Sequence, residues 1–268
     1  MQTNDLKIAI IGAGNMGGAI VRGLAKGTII KTENIFVSDL SEANLNALKK
    51  DFPEISISTS NNDVVQHTNI IVLAVKPWLI QTIAKEIKIN TDCKILISIA
   101  AGIELSELSK YFEVKENTGI FRVIPNTAIE VGQSVSIVST QSTSDEQQTK
   151  LVLSIFDEMG KTFLISESQM NAFMSLSSCG IAYAFRYIRA AMEGGVEMGI
   201  DPNTAKKIIV QTLRGAIELL EANNSHPEGE IDKVTTPGGV TIKGLNEMEA
   251  NGFTNAVIKG LKVSNASK

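Results

Sequence analysis

Short apolar runs alternate with amphipathic stretches through the first part of the chain. Residues 7–11 are apolar from Ile8 onward and read as a buried strand. Over 16–26, Ile20, Val21, Leu24 and Ala25 keep helical spacing, and Gly27 stops the run. Further strands are predicted at 35–37, 55–58, 70–75, 94–99, 120–124, 135–138 and 162–165. The run at 70–75 (IIVLAV) is apolar throughout, as expected of a central parallel strand covered on both faces. Helices are predicted at 80–87, 105–110 and 145–159, and Ser41 is placed to cap the helix carrying Leu45, Leu48 and Lys49. This alternation predicts a parallel, doubly wound sheet of Rossmann type.

The pattern changes near Ser166. Beyond it no strand pattern recurs, and helices are predicted at 170–176, 182–198, 203–221, 241–249 and 255–263. The expected organisation is a dinucleotide-binding domain over 1–165 and an all-α domain over 166–268. Several of these helices are apolar on more than one side, as at Ile188, Ala190, Ala191, Met192 and Val196. A helix apolar all round is usually buried, so these helices are expected to form a dimer interface.

Charge removes several classes of partner. Lys and Arg total 25 and Asp and Glu 29, a net charge of −4, so neither nucleic acid nor an anionic membrane is expected as a partner. No apolar run approaches the roughly 18 residues of a membrane span. Cys93 and Cys179 lie far apart without metal-ligand spacing, so no metal site is expected. Two such thiols suit a reducing cytoplasm, and Met1–Lys7 lacks the layout of a signal peptide. There are two histidines, His67 and His226, and neither is expected at the carboxyl end of a strand.

The sharpest local motif is Gly12-Ala13-Gly14-Asn15-Met16-Gly17, directly between the first strand and the first helix. The first glycine makes the tight turn, the second lets backbone approach a pyrophosphate, and the third lets helix and strand pack closely. The phosphates would sit on the helix N-terminus. Asp39 follows the second strand. It reads either as an acid bonding a ribose 2′-OH, which favours NADH, or as a turn residue beside Ser41. Ala74-Val75-Lys76-Pro77 and Ala100-Ala101 end two further strands and are expected along the same cleft. Lys76 reads equally as a cofactor contact and as a solvated residue.

Alcohol oxidation needs a base, commonly His or Lys, and no histidine stands where one would serve. The helical half instead carries Val234-Thr235-Thr236-Pro237-Gly238-Gly239-Val240-Thr241, leading straight into a helix. Hydroxyls and free N–H groups at a helix N-terminus suit a small carboxylate. The polar stretch Ser177-Ser178-Cys179-Gly180 is a second candidate for the same anion. A nicotinamide cofactor, a carboxylate site and no base together fit reduction of a C=N bond, which needs positioning more than proton abstraction.

Along its whole length the chain resembles the Δ1-pyrroline-5-carboxylate reductase family. The resemblance rests on residues 11–19 (IGAGNMGGA), 73–77 (LAVKP), 98–102 (SIAAG), 122–127 (RVIPNT), 180–185 (GIAYAF) and above all 234–250 (VTTPGGVTIKGLNEMEA). It implies NADPH- or NADH-dependent reduction of the cyclic imine to L-proline, the last step of proline biosynthesis. It also implies a helical domain interlocked in homodimers, often assembled into decamers. By the same resemblance, Gly12–Gly17 hold pyrophosphate, and Ala74–Pro77 with Ala100 and Ala101 lie along the cofactor. Asn61 matches an adenosine-side Asn. Thr236, Gly238, Gly239, Val240 and Thr241 match the substrate contacts, with Thr241 on the ring nitrogen, and Glu167, Ser177 and Cys179 match positions near the substrate.

The chain departs from the family pattern at Ser178, Cys179 and Ile181, where Gly, Ser and Pro are usual, and at Ala128 and Lys233. Cys is a weaker hydrogen-bond donor than Ser. Two other readings stand beside the reductase. A β-hydroxyacid dehydrogenase would need a catalytic Lys after the Rossmann domain, and 170–191 contains none. A non-catalytic, dinucleotide-binding sensor would be compatible with Cys179 and Ile181.

Overall fold

A computed structural model describes residues 6–66, 68–87, 89, 93–112, 117–141 and 144–265. His67 lies outside them. Eight strands run in chain order as β1 (Ile8–Ile11), β2 (Ile35–Ser38), β3 (Ser56–Ser58), β4 (Ile70–Leu73), β5 (Ile95–Ser98), β6 (Gly119–Ile124), β7 (Ser134–Thr140) and β8 (Gly160–Leu164). The helices between them are α1 (Asn15–Lys26), α2 (Glu42–Asp51), α3 (Asn61–Val65), α4 (Ile80–Glu86), α5 (Leu105–Tyr111) and α6 (Glu146–Asp157). After β8 come α7 (Met170–Met174), α8 (Gly180–Glu197), α9 (Pro202–Asn223), α10 (Pro227–Lys233), α11 (Val240–Ala250) and α12 (Phe253–Ser264).

The strands form one sheet in the order β3-β2-β1-β4-β5-β6-β7-β8. The expectation of a parallel sheet holds from β3 through β6, whereas β7 pairs antiparallel with β6, and β8 then runs parallel to β7. The reversal follows from the connection. After β6 the chain makes only a short 3-10 turn, Thr127–Val131, ended by Gly132 in the left-handed region. A parallel return needs a crossover of a dozen or more residues.

Alternating side chains on the central strands bury both faces. Ile8 and Ile10 face one layer with Ile20, Leu24, Leu48 and Phe156, while Ala9 and Ile11 face the other with Val65, Ile80, Ile83 and Leu108. Each fully buried aliphatic side chain contributes about 1.5–3 kcal/mol, which fixes this layer order against register slips.

The chain divides into two compact units at Ser178/Cys179, a little beyond the change of pattern at Ser166. In the second unit α8 packs on α9, α10 on α9, and α11 on α12. The Tyr187 and Phe253 rings meet edge to face at 6.4 Å. The apolar helices are not buried within the chain itself. Gly195 is the buried residue of α8, and Phe185 and Ile217 remain 60% and 56% exposed. One chain supplies too few layers to cover both sides of these helices. No helix among the described residues is long and apolar enough to cross a membrane.

Candidate functional site

In the first unit the chain order reverses between β1 and β4, and the carboxyl ends of these strands open a crevice of the kind in which ligands bind to such sheets. Gly12 N–H donates to Ser38 O at 2.7 Å, and Ala74 N–H to Ile11 O at 2.8 Å, closing the turn onto β2 and β4. Gly12 has φ +102°, and a Cβ there would stand 2.5 Å from Ala74 O. At Gly17 a Cβ would stand 1.9 Å from Gly12 O. Both positions are glycine because backbone and Ala74 pack against them.

Gly14 is different. No atom lies within 4 Å of its missing Cβ, so nothing in the protein requires a glycine there. Gly14 is also the N-cap of α1, which has no side-chain cap and no acid in its first turn. The backbone N–H groups of Asn15, Met16 and Gly17 have no partner within the helix. An open Cβ position over an uncapped helix N-terminus is a cradle for phosphate, and the residues fit a dinucleotide.

Asp39 takes the turn role beside Ser41, one of the two roles read from the sequence. It lies at the end of β2, and its carboxylate is engaged at both oxygens. Oδ2 accepts from Ala13 N–H at 2.6 Å and Oδ1 from Ser41 N–H at 2.7 Å. The acid thus ties the glycine turn to the start of α2, where Ser41 caps the helix through Asn44 N–H as expected. Beside it Ser38 Oγ donates to Asn61 Oδ1 at 2.7 Å, and Asn61 Nδ2 donates to Glu86 at 3.2 Å. Asn61 is therefore held at the β2 end by α4.

Ala74 lies behind the glycine turn, against Gly12 and Gly17. Val75 is half-buried, Lys76 exposed, and Pro77 starts a 3-10 turn that carries Trp78, 74% exposed. At the end of β5, Ala100 is buried and Ala101 exposed, with Gly102 at φ +80°.

Glu167 is the first residue of a 3-10 turn after β8. Its Oε1 accepts from Arg122 Nη1 at 2.6 Å and from Leu105 N–H at 2.8 Å, binding β6 to the start of α5. Arg122 is buried in β6, and its Nε has no hydrogen-bond partner. The structure thus gives Glu167 a bridging role that sequence reading missed. The available signal was a single Arg inside the apolar run GIFRVI, where a buried guanidinium needs an acid.

The polar residues 177–180, which fall between two predicted helices, are themselves helical. Ser175–Cys179 are one π-helical turn that joins α7 directly to α8. Such turns often occur at functional sites. Buried Ser177 donates to Phe173 O at 3.0 Å, and Ser178 Oγ donates to Pro125 O at 3.1 Å, tying the π-turn to the end of β6. Cys179 is half-buried.

In the second unit, Thr236-Pro237-Gly238-Gly239 is a β-turn closed by Gly239 N–H to Thr236 O at 2.9 Å. Pro at the second position and Gly238 at φ +73° in the third are the type II signature. At Gly239 a Cβ would stand 2.6 Å from Thr236 Oγ1. Gly239 is the N-cap of α11 without a side-chain cap, and α11 begins at Val240, one residue before the expected start. Val240 and Thr241 therefore present first-turn N–H groups, and Thr236 and Thr241 are exposed.

His226 is the N-cap of the short helix α10, which the sequence pattern did not reveal, and its Nδ1 accepts from Glu228 N–H at 3.3 Å. That gives it a structural role at the helix start. Among the described residues no group of three or more His, Cys, Asp or Glu could hold a metal. Burial, partly offset by a backbone hydrogen bond from Ile95 and by the Lys94 charge, pushes the Cys93 thiol up to about 11.

These geometries have counterparts in known proteins. Residues 167–267 match the family model for pyrroline-5-carboxylate reductase dimerisation, and residues 7–102 match that for NADP oxidoreductase, coenzyme F420-dependent. Pyrroline-5-carboxylate reductase 1 of Dictyostelium discoideum is 37% identical over 98% of this chain, which spans about half (49%) of that relative's length. The pyrroline-5-carboxylate reductase of Methanosarcina acetivorans is 36% identical, with 94% of each chain covered. The structure of Plasmodium falciparum pyrroline carboxylate reductase with NADP bound superimposes with a TM-score of 0.87 at 30% identity, covering 97% of this chain and 96% of that one. The chain belongs to the pyrroline-5-carboxylate reductase family.

Proposed function

We propose that the protein reduces 1-pyrroline-5-carboxylate to L-proline with NADH or NADPH, the last step of proline biosynthesis. The observation that carries this reading is the pair of uncapped helix N-termini, each behind a glycine turn, one at Gly12–Gly17 and one at Thr236–Thr241. Each suits an anion, the first a pyrophosphate and the second a small carboxylate.

Residues 1–165 would form the dinucleotide-binding domain and 166–268 the substrate and dimerisation domain. When bound, the nicotinamide supplies the hydride, which the imine carbon C5 accepts as its C=N bond becomes an amine. The N–H groups of Asn15, Met16 and Gly17 hold the pyrophosphate. Ala74–Pro77, Ala100 and Ala101 line the cofactor, and Asn61 faces its adenosine end. Thr236, Gly238, Gly239 and Val240 hold the substrate carboxylate, and Thr241 hydrogen-bonds the ring nitrogen. Glu167 matches a position near the substrate in the family, and its Oε1 is held by Arg122 and Leu105. Ser177 and Cys179 would contribute backbone and thiol rather than the Ser177 hydroxyl, which donates to Phe173 O. A protonated imine already carries the charge that draws hydride, so binding and orientation do most of the work.

The exposed apolar faces of α8, α9, α11 and α12 are read as the interface of an interlocked homodimer. The two thiols, neither in a disulfide, suit a reducing cytoplasm.

The test is consumption of NADH or NADPH with pyrroline-5-carboxylate, set against 3-hydroxy acids with the oxidised cofactors. Turnover of the imine alone is expected. Turnover of the hydroxy acids would establish the dehydrogenase reading, and dinucleotide binding without turnover the sensor. Analytical ultracentrifugation showing a stable monomer at micromolar concentration would overturn the dimer.

A further inference from the structure

We propose that this chain prefers NADH over NADPH, and that Asp39, with the acidic rim formed by the ends of β2 and β3, sets the preference. The inference rests on the proposed function only in placing a dinucleotide on the Gly12–Gly17 turn.

The two cofactors differ by one phosphate on the adenine ribose 2′-oxygen, close to two negative charges near neutral pH. In sheets of this kind that ribose lies beyond the second strand, where an acid bonds a 2′-OH and a basic group accommodates a 2′-phosphate. Asp39 stands there and is not free to withdraw. Its oxygens accept from Ala13 N–H at 2.6 Å and Ser41 N–H at 2.7 Å, so turning it away breaks two hydrogen bonds, one to the phosphate-binding turn itself. Each carboxylate oxygen keeps a second lone pair for a ribose hydroxyl.

No cation from these strand ends offsets the acid. Residues 38–43 and 58–63 contain no Lys or Arg, yet carry Asp39, Glu42 and Asp63. Asn61 Nδ2 brings in Glu86 from α4 at 3.2 Å. Lys49, on α2, spends its ammonium on Ile55 O at 2.6 Å, before β3 and so at the opposite end of that strand. On α1, Arg22 lies past the turn, its guanidinium 3.5 Å from where a Gly18 Cβ would stand. The position after Asp39, where a cation could meet a 2′-phosphate, is Leu40, 91% exposed. A ribose hydroxyl finds an acceptor at this rim, and a 2′-phosphate meets like charge.

The test is direct binding to the full chain without substrate, by calorimetry and by quenching of Trp78, the single tryptophan. NADH is expected to bind at least about tenfold more tightly than NADPH, and added salt should narrow the gap by screening the repulsion. Leu40→Arg should tighten NADPH about tenfold and leave NADH within about twofold. Equal or tighter binding of NADPH to the unaltered chain overturns the preference and leaves the dinucleotide site standing. A preference insensitive both to salt and to Leu40→Arg overturns the rim as its origin. Binding of neither dinucleotide overturns the site and this inference with it.

Discussion

Arg122 Nη1 and Glu167 Oε1 meet at 2.6 Å across 45 residues of sequence, and the same oxygen accepts the Leu105 N–H. One carboxylate thus joins β6, the start of α5 and the segment that enters the helical half. Removing it leaves the Arg122 guanidinium buried without its acid. Breaking a fully buried pair costs about 3–5 kcal/mol; Glu167 is 30% exposed, so Glu167→Ala should cost about 2–3 kcal/mol in urea unfolding. Glu167→Gln, which keeps an oxygen for Leu105 N–H, should recover part of that loss. A residue that only touched substrate would leave stability unchanged and raise KM.

The three glycines of the nucleotide turn separate folding from binding. Gly12→Ala forces a left-handed φ on alanine and drives its Cβ to 2.5 Å from Ala74 O, so it should cost at least about 2 kcal/mol. Gly14→Ala meets no atom within 4 Å and should cost less than about 1 kcal/mol, the price of a poorer N-cap. Its dinucleotide Kd should nevertheless rise at least about tenfold, because the methyl fills the space a phosphate would take. Thermal unfolding and calorimetric titration of both variants decide this.

Thr241→Val keeps a β-branched shape in the first turn of α11 and removes one hydroxyl. If that hydroxyl holds the ring nitrogen, turnover of pyrroline-5-carboxylate should fall by the cost of an unpaired polar group, about 1–3 kcal/mol. Dinucleotide affinity and melting temperature should stay unchanged. Unaltered turnover would remove Thr241 from the site.

Burial raises the Cys93 thiol from 9.0 to about 11, above its value in the unfolded chain. The folded state therefore holds this proton more tightly. The contribution to stability is complete below pH 9 and is lost as pH climbs from 9 towards 11. Urea midpoints of the protein and of Cys93→Ala, compared across that range, should converge as pH rises. Parallel curves would show that the thiol does not titrate there.

Much of the fold was legible because its signals are local. Apolar alternation placed the strands, and the turn from Gly12 to Gly17 lies within one contiguous stretch. The Ser41 cap needs only Asn44, three residues on. Other features left no local trace. The π-turn at Ser175–Cys179 hides in a polar run between two predicted helices, and α10 is too short for helical periodicity to show.

By itself the sequence determined the strand–helix alternation, the switch to helices after Ser166, the two glycine turns and the family, because each depends on neighbouring residues or on a contiguous motif. Tertiary structure alone decided that β7 runs against β6, that Asp39 reaches 26 residues back to Ala13, and that Arg122 pairs with Glu167. These depend on strand register and on which loops meet at one edge of the sheet. The physical reason is that a buried charge or an unpaired N–H selects whichever partner the packed core brings within reach, and sequence spacing carries no record of that distance.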